Sequence, residues 1–334
     1  MSSVRRRLVT VVPAFGLFTL VVLLVAPTVG STSISLTRVF DPAIPWAENV
    51  DAQIFFVARL PRVLAGALVG ATLAAAGVVL QALLRNPLAT PFTLGVSAGA
   101  ALGAMLAITF RLDIGVLGVS SVPVASFAGS MVAVGIVYAL ATSQRRGLST
   151  NVLLLAGVTL NSFFSAVILF VQYLSDYTDA FRTIRWLMGD LDVASYEPIV
   201  AALPLLVAAF VTFALLPRAL NLLTLGDDVA ASRGVDTGRA QRLAFFSASL
   251  ATGAAVSLGG PVGFIGIVVP HLVRLLVGSD HRIVLPAATL FGAAFLVLCD
   301  VISRMAMAPL ELPVGIVTAM IGGPFFLWLL VKRA

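Results

Sequence analysis

The stretch RLPRVLAGALVGATLAAAGVVLQALLRNPLA, residues 59–89, decides the class of fold. No charge lies between Arg62 and Arg85. A helix rises about 1.5 Å per residue, and the hydrocarbon core of a bilayer is about 30 Å thick, so roughly 20 apolar residues cross it. The apolar run over 57–84 is long enough. In lipid its backbone groups can only satisfy one another, which makes the stretch a helix. Gly66 and Gly70 stand four apart, where absent side chains let a second helix come close.

Similar runs recur on both sides of it. Including 57–84, ten are read, over 8–28, 57–84, 92–110, 115–142, 152–174, 198–217, 243–258, 262–278, 283–303 and 313–331. The seventh and eighth form one uncharged run, broken only by Gly259, Gly260 and Pro261. Such a break is tolerated in lipid where protein or water surrounds it. Arg5, Arg6 and Arg7 precede the first run like the start of a signal peptide, but its length and the nine runs behind it predict a retained helix. The whole chain reads as one all-α polytopic membrane domain, residues 1–334, of about ten spans.

Composition agrees. Hydrophobic residues make up 60% of the 334 residues and charged ones 11%, with a mean hydropathy of +1.07. Soluble domains run at roughly 45–50% and about 25%. With the N-terminus placed in the cytoplasm, Arg38, Arg59, Arg62, Arg111, Arg182, Arg185 and Arg304 fall outside, 7 of the 21 cations, and the other 14 fall inside. The positive-inside rule therefore supports both termini on the cytoplasmic side. The longest loops are 29–56 and 175–197 outside and 218–242 inside.

Several chemistries drop out. Cys299 is the only cysteine, so no intrachain disulfide or cysteine metal cluster forms. Lys332 is the only lysine, and it precedes Arg333, so there is no Walker A loop to cradle nucleotide. His271 and His281 fit no metal motif, and His271 reads as a packing residue. The net charge of +6 does not point to nucleic acid, because the arginines cap apolar runs instead of forming a patch interleaved with aromatics. Gly95-Val96-Ser97-Ala98-Gly99 matches the serine-hydrolase elbow, so an intramembrane serine protease using Ser97 is an alternative, one that requires a histidine base. An ion-coupled secondary carrier is a second alternative. It would need acidic groups at mid-membrane, and only Asp300 comes near. Arg304 lies four residues on, on the same helix face, so an ion pair is expected.

Three stretches together go further. They are residues 59–100, the segment LNLLTLGDDVAASRGV at 220–235, and GPVGFIGIVVPHLVRLLVGSDHR at 260–282 followed by LELPVGIVTAMIGGPFFLWLL at 310–330. In this order they resemble the membrane permease subunits of ABC importers for iron-siderophores, cobalamin and haem, and the resemblance covers nearly the whole chain. It implies the ten-helix type II importer fold, N-in and C-in, in the bacterial inner membrane. It implies a homodimer working with two ATPase subunits, which carry the ATP and Mg, and with a periplasmic or lipid-anchored binding protein. No cofactor or metal is implied on this chain. The cargo expected is a metal chelate, ferric siderophore first, cobalamin and haem close behind.

The resemblance also assigns roles. Arg59, Arg62 and Arg304 are expected to dock the binding protein, since guanidiniums pair bidentately with carboxylates. Asn86, Leu88, Thr150 and Asn151 are expected to narrow the cytoplasmic exit. Thr159, Asn161, Ser162 and Ser165 are expected to line the pathway. Leu225, Gly226, Asp227, Asp228, Ala230, Ala231, Arg233 and Gly234 form the expected ATPase-coupling element within loop 218–242. From the residues themselves, Gly226 can end one short helix, Asp227 or Asp228 can cap the next, and Ala230 and Ala231 are small enough for a groove on another protein. Arg233 stands where the family usually has leucine.

Overall fold

A computed structural model describes residues 2–116, 118–143, 149–191 and 195–333. Arg145 and Arg146, counted among the inner cations, lie outside the described residues. The helices are α1 Ser2–Val25, α2 Leu36–Val39, α3 Val50–Gln53, α4 Leu60–Leu83, α5 Val96–Thr109, α6 Ser121–Thr142, α7 Thr150–Leu174, α8 Tyr177–Leu187, α9 Glu197–Leu215, α10 Pro217–Leu223, α11 Asp227–Ser232, α12 Thr237–Gly259, α13 Ile265–Val277, α14 His281–Met305 and α15 Val314–Arg333. Among the described residues, seven apolar helices are long enough to cross a membrane, and three shorter apolar ones, in α5, α13 and α15, accompany them. These ten correspond one for one to the ten runs read from sequence.

Two details differ. The run over 92–110 is not one helix. Thr90 and Thr93 form a reciprocal capping box around the 3₁₀ turn Pro91–Leu94, and Gly95 follows at φ +79°. A left-handed residue stops one helix and starts another, so α5 rises only about 21 Å. The run over 115–142 begins late, at Ser121. The expected break after Gly259 is present: Gly260 (φ +66°) and Phe264 (φ +67°) turn the chain between α12 and α13.

The ends of the helices sort onto two sides. Arg59 at the start of α4 donates to the carbonyls of Pro27 and Thr28 beyond α1, both at 3.3 Å, and Arg304 near the end of α14 donates to that of Val29 at 3.1 Å. At the other end Arg85, just past α4, meets Asp227 of α11. Asn221 of α10 bonds His281 at the start of α14. The chain therefore alternates direction, and the arginine-rich end is the cytoplasmic one.

The core forms around α4, most of which is buried, with α12, α13 and α14 against it. Small residues make this possible. A Cβ on Gly70 would run into the carbonyl of Gly292 in α14, and one on Gly77 into that of Gly266 in α13. Gly99 opposes Gly129 and Gly103 opposes Ala125, which locks α5 to α6. The spaced glycines are thus a packing device. Before α4 the chain makes a π-helical turn over Ile54–Arg59. Phe55 and Phe56 pack there against Phe40, and the Phe56 carbonyl accepts from the Tyr196 hydroxyl at 2.6 Å.

Gly70→Leu should therefore separate α4 from α14 and destabilise the fold by about 1–3 kcal/mol or more. Gly135→Ala on the open face of α6, where no atom lies within 4 Å of a new Cβ, should leave the thermal midpoint in detergent unchanged or raised. Equal midpoints for the two variants would refute the packing role.

Candidate functional site

At the outer end two guanidiniums close around one carboxylate. Asp300, 1% exposed inside α14, takes Arg62 Nε on one oxygen at 2.8 Å and Arg304 Nε beside the other at 3.1 Å. Arg62 also reaches Glu311 at 2.5 Å. An ionised group buried this deeply needs partners, because desolvation costs several kcal/mol per charge. The i, i+4 spacing supplies Arg304, and Arg62 comes from α4. Arg59 is buried separately and donates to the carbonyls of residues 27, 28 and 32. Arg59, Arg62 and Arg304 line one pocket of about 320 Å³ with Gly30 and Thr32. With Asp300 and Glu311 counted, the three guanidiniums leave one positive charge over. The Arg62–Glu311 pair also walls a second outer cavity of about 510 Å³, between α8 and residues 309–313.

At the inner end, the turn after α4 is held by its own side chains. Arg85 adopts φ +48°, Asn86 Oδ1 accepts from the Leu88 amide at 2.9 Å, and Leu88 is exposed. Arg85 Nη2 lies 2.5 Å from Asp227 Oδ1, which also accepts from Gln241 Nε2 at 3.2 Å. The turn after α4 and α11 are therefore tied directly. Helix α11 ends in a Schellman motif. Val235 N–H donates to Ala230 O at 3.1 Å, and Gly234 N–H, at φ +81°, to Ala231 O at 2.9 Å. Below it, Asn221 Nδ2 donates to Asp280 at 2.8 Å, and Asn221 Oδ1 accepts from the His281 amide at 2.9 Å. Arg282 holds Asp280 with two nitrogens, which keeps its carboxyl below the usual carboxylate range. A depressed carboxyl stabilises the fold fully above the ordinary range, and the contribution fades only as pH falls below it.

Two expectations for this loop are corrected. Neither Asp227 nor Asp228 caps α11. Gly226, at φ +118°, occupies the cap position without a side-chain bond, and both aspartates sit in the first turn, where the helix dipole favours them. Ala230 faces inward, fully buried against Leu223 and Ala240, so it cannot enter a partner's groove. Ala231 is exposed, as are Leu225, Val229, Asp228 and Arg233.

Helix α7 is long but little covered. Leu153, Ala156, Gly157, Phe164, Ile168 and Val171 pack inward, while Thr159, Ser162 and Ser165 lie on the exposed side. Thr159 and Ser162 bond the carbonyls four residues back, at 2.9 and 3.2 Å. Asn161 points elsewhere: its amide donates to Phe92 O at 2.7 Å and fastens α7 to the 3₁₀ turn. Thr150 is half-buried and Asn151 exposed at the inner end of α7, which Ser149 caps.

Comparison with known proteins settles the family. The family model described as the FecCD transport family matches residues 18–332. The chain belongs to the FecCD transport family. This FecCD-family chain is 40% identical over 304 residues to the cobalamin import system permease protein BtuC of Halobacterium salinarum, covering 90% of this chain and 79% of that one. It is 37% identical over 324 residues to the hemin transport system permease protein HmuU of Yersinia pestis, with 96% of each covered. A solved metal-chelate type ABC transporter in an inward-facing conformation superposes with a TM-score of 0.84 at 30% identity, over 96% of this chain and 98% of that one. The FecCD-family chain thus has the type II importer permease fold.

The alternative chemistries fail on geometry. Ser97 is buried and its hydroxyl has no hydrogen-bond partner among the described residues, so no histidine base activates it. Both oxygens of Asp300 lie against arginines, so the acidic group that the carrier reading relied on is already paired. Sequence reasoning missed Arg62 and Glu311 as members of the Asp300 network and Asn221 as the inner staple. Their partners are distant in the chain, and no local spacing announces them.

Asp300→Ala should strand Arg62 and Arg304 and destabilise the FecCD-family chain by about 3–5 kcal/mol. Glu311→Gln, on a half-exposed side chain, should cost about 1 kcal/mol or less. Thermal unfolding of both in detergent checks the order, and the reverse order would show that Asp300 is not the centre of the cluster.

Proposed function

We propose that this chain is the membrane permease subunit of an ATP-driven, binding-protein-dependent importer of a metal chelate. It works as a pair of copies with two ATPase subunits, which supply ATP and Mg. The observation that carries this reading is the inner finger formed by α10 and α11. Its inner face is packed on Leu223, Ala230 and Ala240, its ends are fixed by the Schellman motif and by Arg85, and it still presents Leu225 and Val229 outward. Apolar side chains presented beyond the membrane on a fixed scaffold suit a partner's cleft. The absence of a Walker A loop from the sequence means that nucleotide must be handled by another chain.

At the outer end, Arg59, Arg62 and Arg304 are proposed to receive carboxylates of a periplasmic or lipid-anchored binding protein. The pocket they line and its surplus positive charge support this. Between the ends, the exposed hydroxyl face of α7 is proposed to line a pathway shared with the second copy, with Thr159, Ser162 and Ser165 on it and Asn161 behind it. Asn86, Leu88, Thr150 and Asn151 would narrow the inner exit. A chelate enters with its metal already bound, so no metal ligands are needed here. A ferric siderophore is the cargo inferred first. Relatives named for cobalamin and hemin support the same class of large chelates.

Three outcomes follow. Ala231→Trp, on the open face of α11, should leave the protein folded but abolish chelate uptake in vesicles while ATP hydrolysis continues. Uptake at the normal rate would remove α11 from the coupling. Arg59→Gln should weaken binding-protein association by about 2–5 kcal/mol, measured by titration, and unchanged affinity would exclude it from docking. A cysteine at Leu88 or Asn151, in a Cys299→Ser background, should crosslink between copies in a nucleotide-dependent yield. The same yield in every nucleotide state would argue against a gate.

A further inference from the structure

On the outer surface of the helix bundle, in its inner half, lies a groove that none of the proposed roles uses. It opens between α6, α9 and α12, has a volume of about 510 Å³, and is walled by apolar side chains such as Met131, Ala208 and Phe246. Two hydroxyls line it, and both are committed to their own helices: Thr212 donates to Ala208 O at 3.0 Å, and Ser247 to Leu243 O at 2.6 Å. The remaining polar group is Arg242, which is exposed at the inner mouth. It follows Gln241, whose amide reaches Asp227, so the mouth lies at the level of the cytoplasmic surface.

The groove has the depth of one leaflet. From Arg242 to Leu250, both in its wall, α12 rises about 12 Å, against the roughly 15 Å that half of the hydrocarbon core occupies. A water-soluble ligand has nothing to bond inside it. An acyl chain matches the walls, and a phosphate at its head would meet the guanidinium. Basic pockets between spanning helices on the cytoplasmic side take anionic headgroups in this way.

We propose that this groove is a binding site for one anionic phospholipid of the cytoplasmic leaflet, its chain along Ala208 and Phe246 and its phosphate on Arg242. The inference does not depend on the transport reading, since it concerns the membrane face of the folded chain alone.

The full chain, purified in detergent, can be given phosphatidylglycerol or phosphatidylcholine and its bound lipid counted by native mass spectrometry. One tightly held phosphatidylglycerol is expected, preferred over phosphatidylcholine about fivefold, the increment one arginine supplies near a membrane surface. Arg242→Gln should erase the preference. Ala208→Phe, which fills the groove from its exposed rim, should remove the retained lipid of either kind with an unchanged thermal midpoint. Equal retention of the two lipids by the wild type would mean annular lipid only and overturn the proposal. So would full phosphatidylglycerol retention in a folded Ala208→Phe protein. Should that variant misfold, Arg242→Gln decides alone: a preference that survives it refutes the site.

Discussion

Asp300 is a carboxylate inside an apolar helix, and the outer end of the molecule is organised to keep it charged. Two guanidiniums from different helices converge on it, a third lies alongside, and Glu311 takes the outer side of Arg62. The convergence demands that α4 and α14 run almost in contact, which in turn demands Gly70 against Gly292. Electrostatics at the end of the bundle and backbone contact in its middle are therefore one constraint. A bulky residue at the crossing would pull the arginine off the carboxylate as surely as its deletion.

The inner end is built to a different standard. Arg85 and Asp227 are both substantially exposed, 40% and 48% by side chain, and such a pair contributes about 0–1 kcal/mol. It can form and break without threatening the fold. The buried outer network cannot, because separating it strands a charge in low dielectric. A rigid outer end and a soft inner end suit the docking and coupling roles proposed for them.

Much of this was legible in the chain. Uncharged runs reveal spans because lipid leaves the backbone no other solution, and the break at Gly259–Pro261 shows itself by composition. The Asp300–Arg304 pair follows from helical spacing. What stayed hidden was whatever depended on contact between distant segments. Arg62 lies 238 residues from Asp300, and Asp227 lies 142 from Arg85. Ala230 and Ala231 are chemically identical neighbours, and only the packing of α11 on Leu223 decides that one is core and the other surface. The shortness of α5 was hidden for another reason. Thr90, Thr93 and Gly95 carry a local stop signal, but the apolar residues around it make a longer helix look natural.

The π-helical turn over Ile54–Arg59 has a consequence for how this segment can vary in length. A π turn takes in one more residue than an α turn, so it resembles an insertion absorbed without a loop. Dropping one residue would restore the ordinary pitch and leave the chain upstream on nearly the same bearing relative to α4, because the π turn already absorbs that residue. With the loss at residues 57–58, Phe55 and Phe56 would stay on Phe40 and the Phe56 carbonyl would still face Tyr196. A loss of one residue can therefore be absorbed within the π turn itself, whereas longer gains and losses fit the turns of 41–48, whose residues are mostly exposed and outside any helix.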